Sequence, residues 1–380
     1  MDLLRDYYDW RPSYDQELLL KAALLKGLPA KQSWEELSKD FDISILDYGS
    51  QRLLPLLSHN LKTNQINNPF SSQLRKLYVD TWAKNQILFG RISPLLESLH
   101  EVGISTLVLK GASLIVSYYK NFGLRPMSDF DFLVPTDQAY EAISLLRQQG
   151  WNPQLKSPDR SLVSYLSVNY AIHFSNPAKC DLDLHWHVFG ACLAADADLD
   201  FWEDAVPIEI NGIHTLALNP TDTLFHTCIH GVRWNKMAPI RWVADAVIIL
   251  NSAEKIDWDR LFAQAKKRHL TLPLKDALTY LKDHLDVEIQ PEFLENLNRI
   301  PVSNLEIREH RTRTKRPGWS SYIPFLWANY PRIALDTGRS SNLLGFIEYL
   351  QAFWELDYIW QVPFYAALRS LKRLFGIRSE

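Results

Sequence analysis

The sequence predicts an α+β fold: a small mixed sheet flanked by helical domains on its N- and C-terminal sides. Three observations carry this expectation. Apolar residues recur at three- and four-residue spacing through the first hundred positions. Between about 101 and 215 the pattern changes to short β-branched or alternating runs, separated by helical stretches. Helical periodicity returns from Asp222 onward. The chain has 380 residues, 47% of them hydrophobic, too many for one ordinary core at ~150 residues per domain. The expected division is an N-terminal helical domain over 1–100, an α/β core over 101–215 and a C-terminal helical domain over 216–300. A basic linker and aromatic helical tail follow over 301–380.

The elements are expected in this order. Residues 16–26 are good helix formers, ended by Gly27 and Pro29, and Ser33 ahead of Glu35 and Glu36 reads as the next helix start. Asn67-Asn68-Pro69 marks a loop between helices over 47–61 and 71–102. Residues 104–109 read as a short buried strand that Lys110-Gly111 ends, and 112–119 as helix. Residues 129–134 alternate acid with apolar, a strand of period two; 137–149 form a helix stopped by Gly150; 168–174 and 180–187 are further strands. Helices are expected from Asp222, after Asp257 and from about Leu272. The basic stretch 308–318 reads as a linker or exposed loop, and the tail over 343–377 as helical, with Pro363 breaking its continuity.

Composition narrows the function classes. Net charge is −3, so no whole-protein basic field exists to grip long nucleic acid, which is not an expected partner. The three cysteines, Cys180, Cys192 and Cys228, are odd in number and lack CxxC spacing, which argues against a disulfide framework or zinc ribbon. No run of ~18 uncharged apolar residues and no apolar signal core are visible, so a reduced, cytoplasmic setting is expected. His226 and His230 share a helix face, but Thr227 stands where a zinc protease needs Glu, so two histidines at an interface are the favoured reading. Asp245 lies in an apolar helix with Arg241 four residues earlier as its expected partner. The tail carries Trp354, Trp360, Phe364 and Leu368 with Arg369, Lys372 and Arg373; docking onto the protein's own helices is favoured over contact with a membrane surface.

The chemistry centres on Asp129 and Asp131. Two residues apart on a strand, they share one face, with Phe130 and Phe132 on the other. Carboxylates so placed can hold one or two Mg²⁺ ions, or Mn²⁺. Lys110 and Gly111 stand just before a helix, where backbone N–H groups and a compact cation suit phosphate oxygens. Arg125 is four residues ahead of the pair, placed to clamp a phosphate or to pair with one of the acids. A second acid-bearing strand carries Asp181 and Asp183 on one face, with His185 and His187.

These segments resemble a known family. Lys110-Gly111, then Arg125-Pro126-Met127-Ser128-Asp129-Phe130-Asp131-Phe132-Leu133-Val134, then Asp183-Leu184-His185-Trp186 are similar to the uncharacterised nucleotidyltransferase family of the DNA polymerase β-like superfamily. The resemblance spans roughly residues 70–250. It implies a nucleotidyltransferase core in which Asp129, Asp131 and Asp183 bind the metals and act in catalysis. It also implies that Lys110, Gly111, Ser113, Arg125 and Ser128 meet the nucleoside triphosphate. Asp181 competes with Asp183 for the third acid; Asp183 is preferred because Asp-Leu-His-Trp matches the family pattern. The expected reaction moves an NMP from NTP to an unidentified small-molecule or protein acceptor with two Mg²⁺ ions. A non-catalytic nucleotide-binding scaffold or regulatory protein, and a kinase-like phosphotransferase, are the competing readings.

Overall fold

A computed structural model describes residues 10–155, 158–235, 240–252, 255–315 and 322–374. The segment before Trp10, positions 316–318 of the basic stretch and the tail beyond Leu374 lie outside the described residues. The architecture is α+β, as expected. Helix α1 (Tyr14–Leu24) begins on Ser13: the Gln16 N–H donates to the Ser13 hydroxyl, and the Ser13 N–H donates to the Gln16 side chain. Helix α2 (Gly27–Leu37) starts at the glycine expected to end α1. Pro29 sits in its first turn, where a missing N–H costs nothing. Ser33, expected as a start, lies inside α2 and donates its hydroxyl to the Pro29 carbonyl. Then come α3 (Tyr48–Gln51), α4 (Leu54–Thr63) and the 31-residue α5 (Ser71–Glu101).

The strand expected over 104–109 contracts to β1 (Leu107–Val108). Helix α6 (Lys110–Leu114) passes into a π-helical turn over Ile115–Tyr119. Strand β2 (Asp129–Leu133), α7 (Ala139–Gln148), β3 (Asn152–Pro153), α8 (Pro158–Leu166), β4 (Ala171–Ser175), β5 (Asp181–His185) and α9 (Leu199–Glu203) follow. The strands lie in the order β3-β4-β5-β2-β1. β2 and β5 run parallel while the β3–β4, β4–β5 and β1–β2 pairs are antiparallel, which makes the sheet mixed. One face is apolar and almost fully buried: Phe130, Phe132, Ile172, Phe174, Leu182 and Leu184. Burying that face fixes the register, because a slip of one residue would turn the acids of β2 and β5 into the core.

The hairpin β6 (Val206–Ile210) and β7 (Ile213–Ala217) had no counterpart in the sequence reading. Its signal is plain in retrospect. Asn211-Gly212 joins two runs of alternating apolar residues, and both adopt positive φ, +48° and +86°, as a tight two-residue hairpin turn requires.

Helices α10 (Pro220–Gly231), α11 (Arg241–Leu250), α12 (Trp258–Lys267), α13 (Thr271–Leu285), α14 (Pro291–Arg299) and α15 (Asn304–Thr314) complete this part of the chain. Side-chain caps set three of the starts: Asn219 accepts from the Asp222 N–H, Asp257 from the Arg260 N–H and Ser303 from the Glu306 N–H. The basic stretch is not a loop up to Thr314. Ser303 caps α15 through the Glu306 N–H, and arginine and glutamate are good helix formers. Glu306, Glu309, His310 and Thr314 are buried there.

The chain divides into two compact units that alternate along the sequence. One holds Met1–Ser93, Leu109–Ser128 and Ala205–Arg316; the other holds Pro94–Val108, Asp129–Asp204 and Pro317–Glu380. In the first, the rings of Trp10, Trp242 and Tyr280 pack mutually at 5.9–6.1 Å. In the second, the tail forms α16 (Tyr322–Thr337), α17 (Leu343–Phe353) and α18 (Gln361–Leu374), and Pro363 falls in the first turn of α18 rather than at a break. Tyr330, Phe346, Tyr349, Trp354 and Val362 build a core with Val168 and Leu193, while Trp360, Phe364 and Leu368 are exposed. Among the described residues no helix is long and apolar enough to cross a membrane.

Candidate active site

The polar face of the sheet is a grid built by register. Across β4, β5 and β2 the first row is Ser175, Asp181 and Asp129; the second is His173, Asp183 and Asp131; the third is Ala171, His185 and Leu133. In-register neighbours share a face, so four carboxylates and two imidazoles converge on one side of the sheet. Asp131, Asp183 and His185 each offer a donor atom within 4.8 Å of the others. Donors at ~2.0–2.2 Å from one divalent ion lie at most about 4.4 Å apart, so a closing of a few tenths of an ångström would let this group share one. The His185 Nε2 lies 3.3 Å from the Asp131 Oδ1, and the His173 Nδ1 lies 2.8 Å from the Asp183 Oδ1. The His173 Nε2 is 3.7 Å from the Asp181 Oδ1, so one ring spans both acids of β5.

The grid deepens toward its third row. Side-chain exposure falls from 43% at Asp181 and 26% at Asp183 to 5% at Asp131 and 2% at His185. Anions this close repel one another, and burial sharpens the repulsion at Asp131. A divalent cation would relieve it, which is the physical sense in which this donor set fits a metal. The geometry joins Asp131 with Asp183, two of the three expected acids. It adds His185, which the sequence placed on this face without a role. Asp129 sits in the more open first row, opposite Asp181.

The five residues expected to meet a triphosphate, Lys110, Gly111, Ser113, Arg125 and Ser128, all belong to the other compact unit. Lys110 has φ +48°, a left-handed conformation that a residue with a Cβ seldom adopts. Gly111 is required by a close approach: a Cβ there would lie 2.6 Å from the Arg125 Nη1 and 3.0 Å from the Met127 Cγ. The Ser113 hydroxyl is buried and donates to the Lys110 carbonyl at 3.0 Å. Ser128 is exposed.

Arg125 is buried, and its guanidinium grips Asp245 with two parallel bonds, Nε to Oδ1 and Nη2 to Oδ2, both 2.8 Å. The Tyr119 hydroxyl donates to the same carboxylate at 2.7 Å. Arg241, expected as Asp245's partner, instead donates from Nη1 to the Pro126 carbonyl at 2.6 Å. Burial and the Asp245 charge push the Tyr119 phenol up, so it stays a donor. Asn85 donates to the Phe122 and Arg125 carbonyls and holds the same loop from α5. His226 and His230 face each other at 5.9 Å, and the His230 Nε2 meets the Arg233 Nη2 at 2.8 Å.

Residues 49–286 match the model of a family described as an uncharacterised nucleotidyltransferase. The chain belongs to this family. The match covers more than half of the chain and includes every residue of the grid and of the Lys110–Ser128 segment. No curated protein matches the chain. For a member of a nucleotidyltransferase family, a carboxylate-rich face able to hold a metal is the natural place for chemistry, and the grid is its candidate.

Proposed function

We propose that the protein transfers a nucleoside monophosphate from an NTP to a small-molecule or protein acceptor and releases pyrophosphate. The observation that carries this reading is the β4–β5–β2 register, which gathers Asp131, Asp183 and His185 within 4.8 Å in a nucleotidyltransferase-family chain. In the reaction an acceptor O–H gives up its proton, its oxygen bonds to the α-phosphorus, and the bond from that phosphorus to the β-phosphate bridge breaks. Asp183 takes the acceptor proton; the imidazole of His173, 2.8 Å away, orients that carboxylate. Asp129, Asp131, Asp183 and His185 are the residues that would hold Mg²⁺ or Mn²⁺. Such ions, when bound, neutralise the charge that builds on the phosphates. Within their own unit, Lys110, the Gly111 backbone and Ser128 are the triphosphate contacts of this reading, with Ser113 and Arg125 bracing that turn.

Incubation with NTP labelled at the α-phosphate, a divalent cation and a panel of acceptors tests the reading. Wild type should transfer label, and the double variant Asp129→Ala/Asp131→Ala should not. Equal transfer by both proteins would sink it. NTP labelled at the γ-phosphate separates this chemistry from a kinase-like one, because only a kinase would leave that label on the acceptor. Cation-dependent NTP binding with no transfer of either label would favour a nucleotide-binding scaffold.

A further inference from the structure

The deep end of the grid differs from an all-oxygen magnesium site. Building on the proposed transfer site, we propose that Asp131, Asp183 and His185 form a mixed oxygen–nitrogen metal site. It takes a first-row transition cation of the Mn²⁺ class in preference to Mg²⁺, and His173 is the positioning residue for Asp183. The His185 Nε2 already faces the Asp131 carboxylate at 3.3 Å. The Tyr170 ring packs against the imidazole at 5.6 Å and restrains its tilt.

Two physical arguments set the preference. Magnesium favours oxygen donors and sheds water reluctantly, so it usually keeps several waters in its shell. With His185 and Asp131 almost fully buried, an ion at this end takes two of its donors from side chains shielded from solvent. An imidazole nitrogen, by contrast, strengthens binding of first-row transition ions, which tolerate mixed donors. His173 then plays the supporting part that metal-bound carboxylates commonly require, a hydrogen bond that fixes their orientation.

The test is Mn²⁺ titration of the full chain without nucleotide, followed by electron paramagnetic resonance, with spin-echo modulation reporting any nitrogen bound to the ion. Wild type is expected to bind Mn²⁺, to show nitrogen modulation and to keep Mn²⁺ against an equal concentration of Mg²⁺. His185→Asn should lose the modulation. His173→Gln should keep it while binding about 10- to 100-fold more weakly. Absence of Mn²⁺ binding, Mn²⁺ bound without nitrogen modulation, ready displacement by Mg²⁺, or modulation that survives in His185→Asn would each overturn the proposal. If His185→Asn does not fold, the wild-type spectrum alone decides. Because no NTP is present, the two readings fail separately. Nitrogen modulation without label transfer would keep this site and remove the transfer reading. Label transfer with Mn²⁺ held by oxygen alone would do the reverse.

Discussion

At Asp245 a single carboxylate anchors three parts of the chain: Arg125 ahead of β2, Tyr119 at the end of the π-helical turn, and its own helix α11. Burial by itself pushes this carboxyl up. The Arg125 charge and hydrogen bonds, then Arg241 and the Tyr119 hydroxyl, outweigh burial and hold it below its ordinary value of 3.8. The native state therefore takes up this proton at lower pH than the unfolded chain does. The stabilisation is complete above 3.8 and is lost as pH falls through the native value. Asp245→Asn leaves the Arg125 guanidinium buried beside a neutral amide and should cost about 3–5 kcal/mol. It should also flatten the acid limb of stability, with both effects read by urea unfolding at a series of pH values. An unchanged midpoint near neutrality would refute the pairing argument. That Asp245 needed a cation was legible from its apolar helix. Which cation was not, because Arg241 is near in sequence while Arg125 is near in space. Gly111 divides similarly: its place at a helix start is visible in the chain, but the Arg125 side chain that excludes a Cβ is not.

Helix starts show how far local chemistry reaches. Ser13, Asp47, Asn219, Asp257 and Ser303 each cap the helix that follows with donor and acceptor three residues apart, a local signal, although the one capped start expected from the sequence, Ser33, lies inside α2. Helix α13 has no such residue; Leu270 stands at its cap position. The Glu306 carboxylate of α15 accepts from the Thr271 N–H at 2.7 Å and the Leu272 N–H at 3.1 Å instead. A charged acceptor on two otherwise orphaned N–H groups at a helix N-terminus is worth roughly 1.5–3 kcal/mol. Glu306→Ala should lower unfolding stability by about that amount, measured by chemical denaturation, with activity retained. A loss below about 0.5 kcal/mol would show that water replaces the carboxylate at little cost. The charges of the basic stretch suggest a solvated loop, yet Glu309 and His310 within it are buried, as is Glu306 just ahead of it. There the His310 Nε2 meets the Asp276 Oδ2 at 3.0 Å.

Across the whole molecule, the three cysteines lie buried and outside any disulfide, Cys180 before β5, Cys192 after it and Cys228 in α10. Burial pushes the Cys228 thiol up, which keeps it from the reactive thiolate form. Native protein should react with a thiol reagent only slowly, and denatured protein should titrate all three; rapid native labelling of Cys228 would contradict its buried position. The sequence by itself determined the α+β class, the strand that carries Asp129 and Asp131, the second acid strand and the family likeness, because each rests on patterns a few residues long. The tertiary structure decided the rest. Only strand register brings His173 to Asp183 and His185 to Asp131. Only the closeness of Arg125 to α11 selects the partner of Asp245. These contacts join positions ten to more than a hundred residues apart, and no local periodicity encodes such a distance. The acid pair from which the site was first legible thus extends in space into a face of four carboxylates and two imidazoles, whose deepest donors are Asp131 and His185.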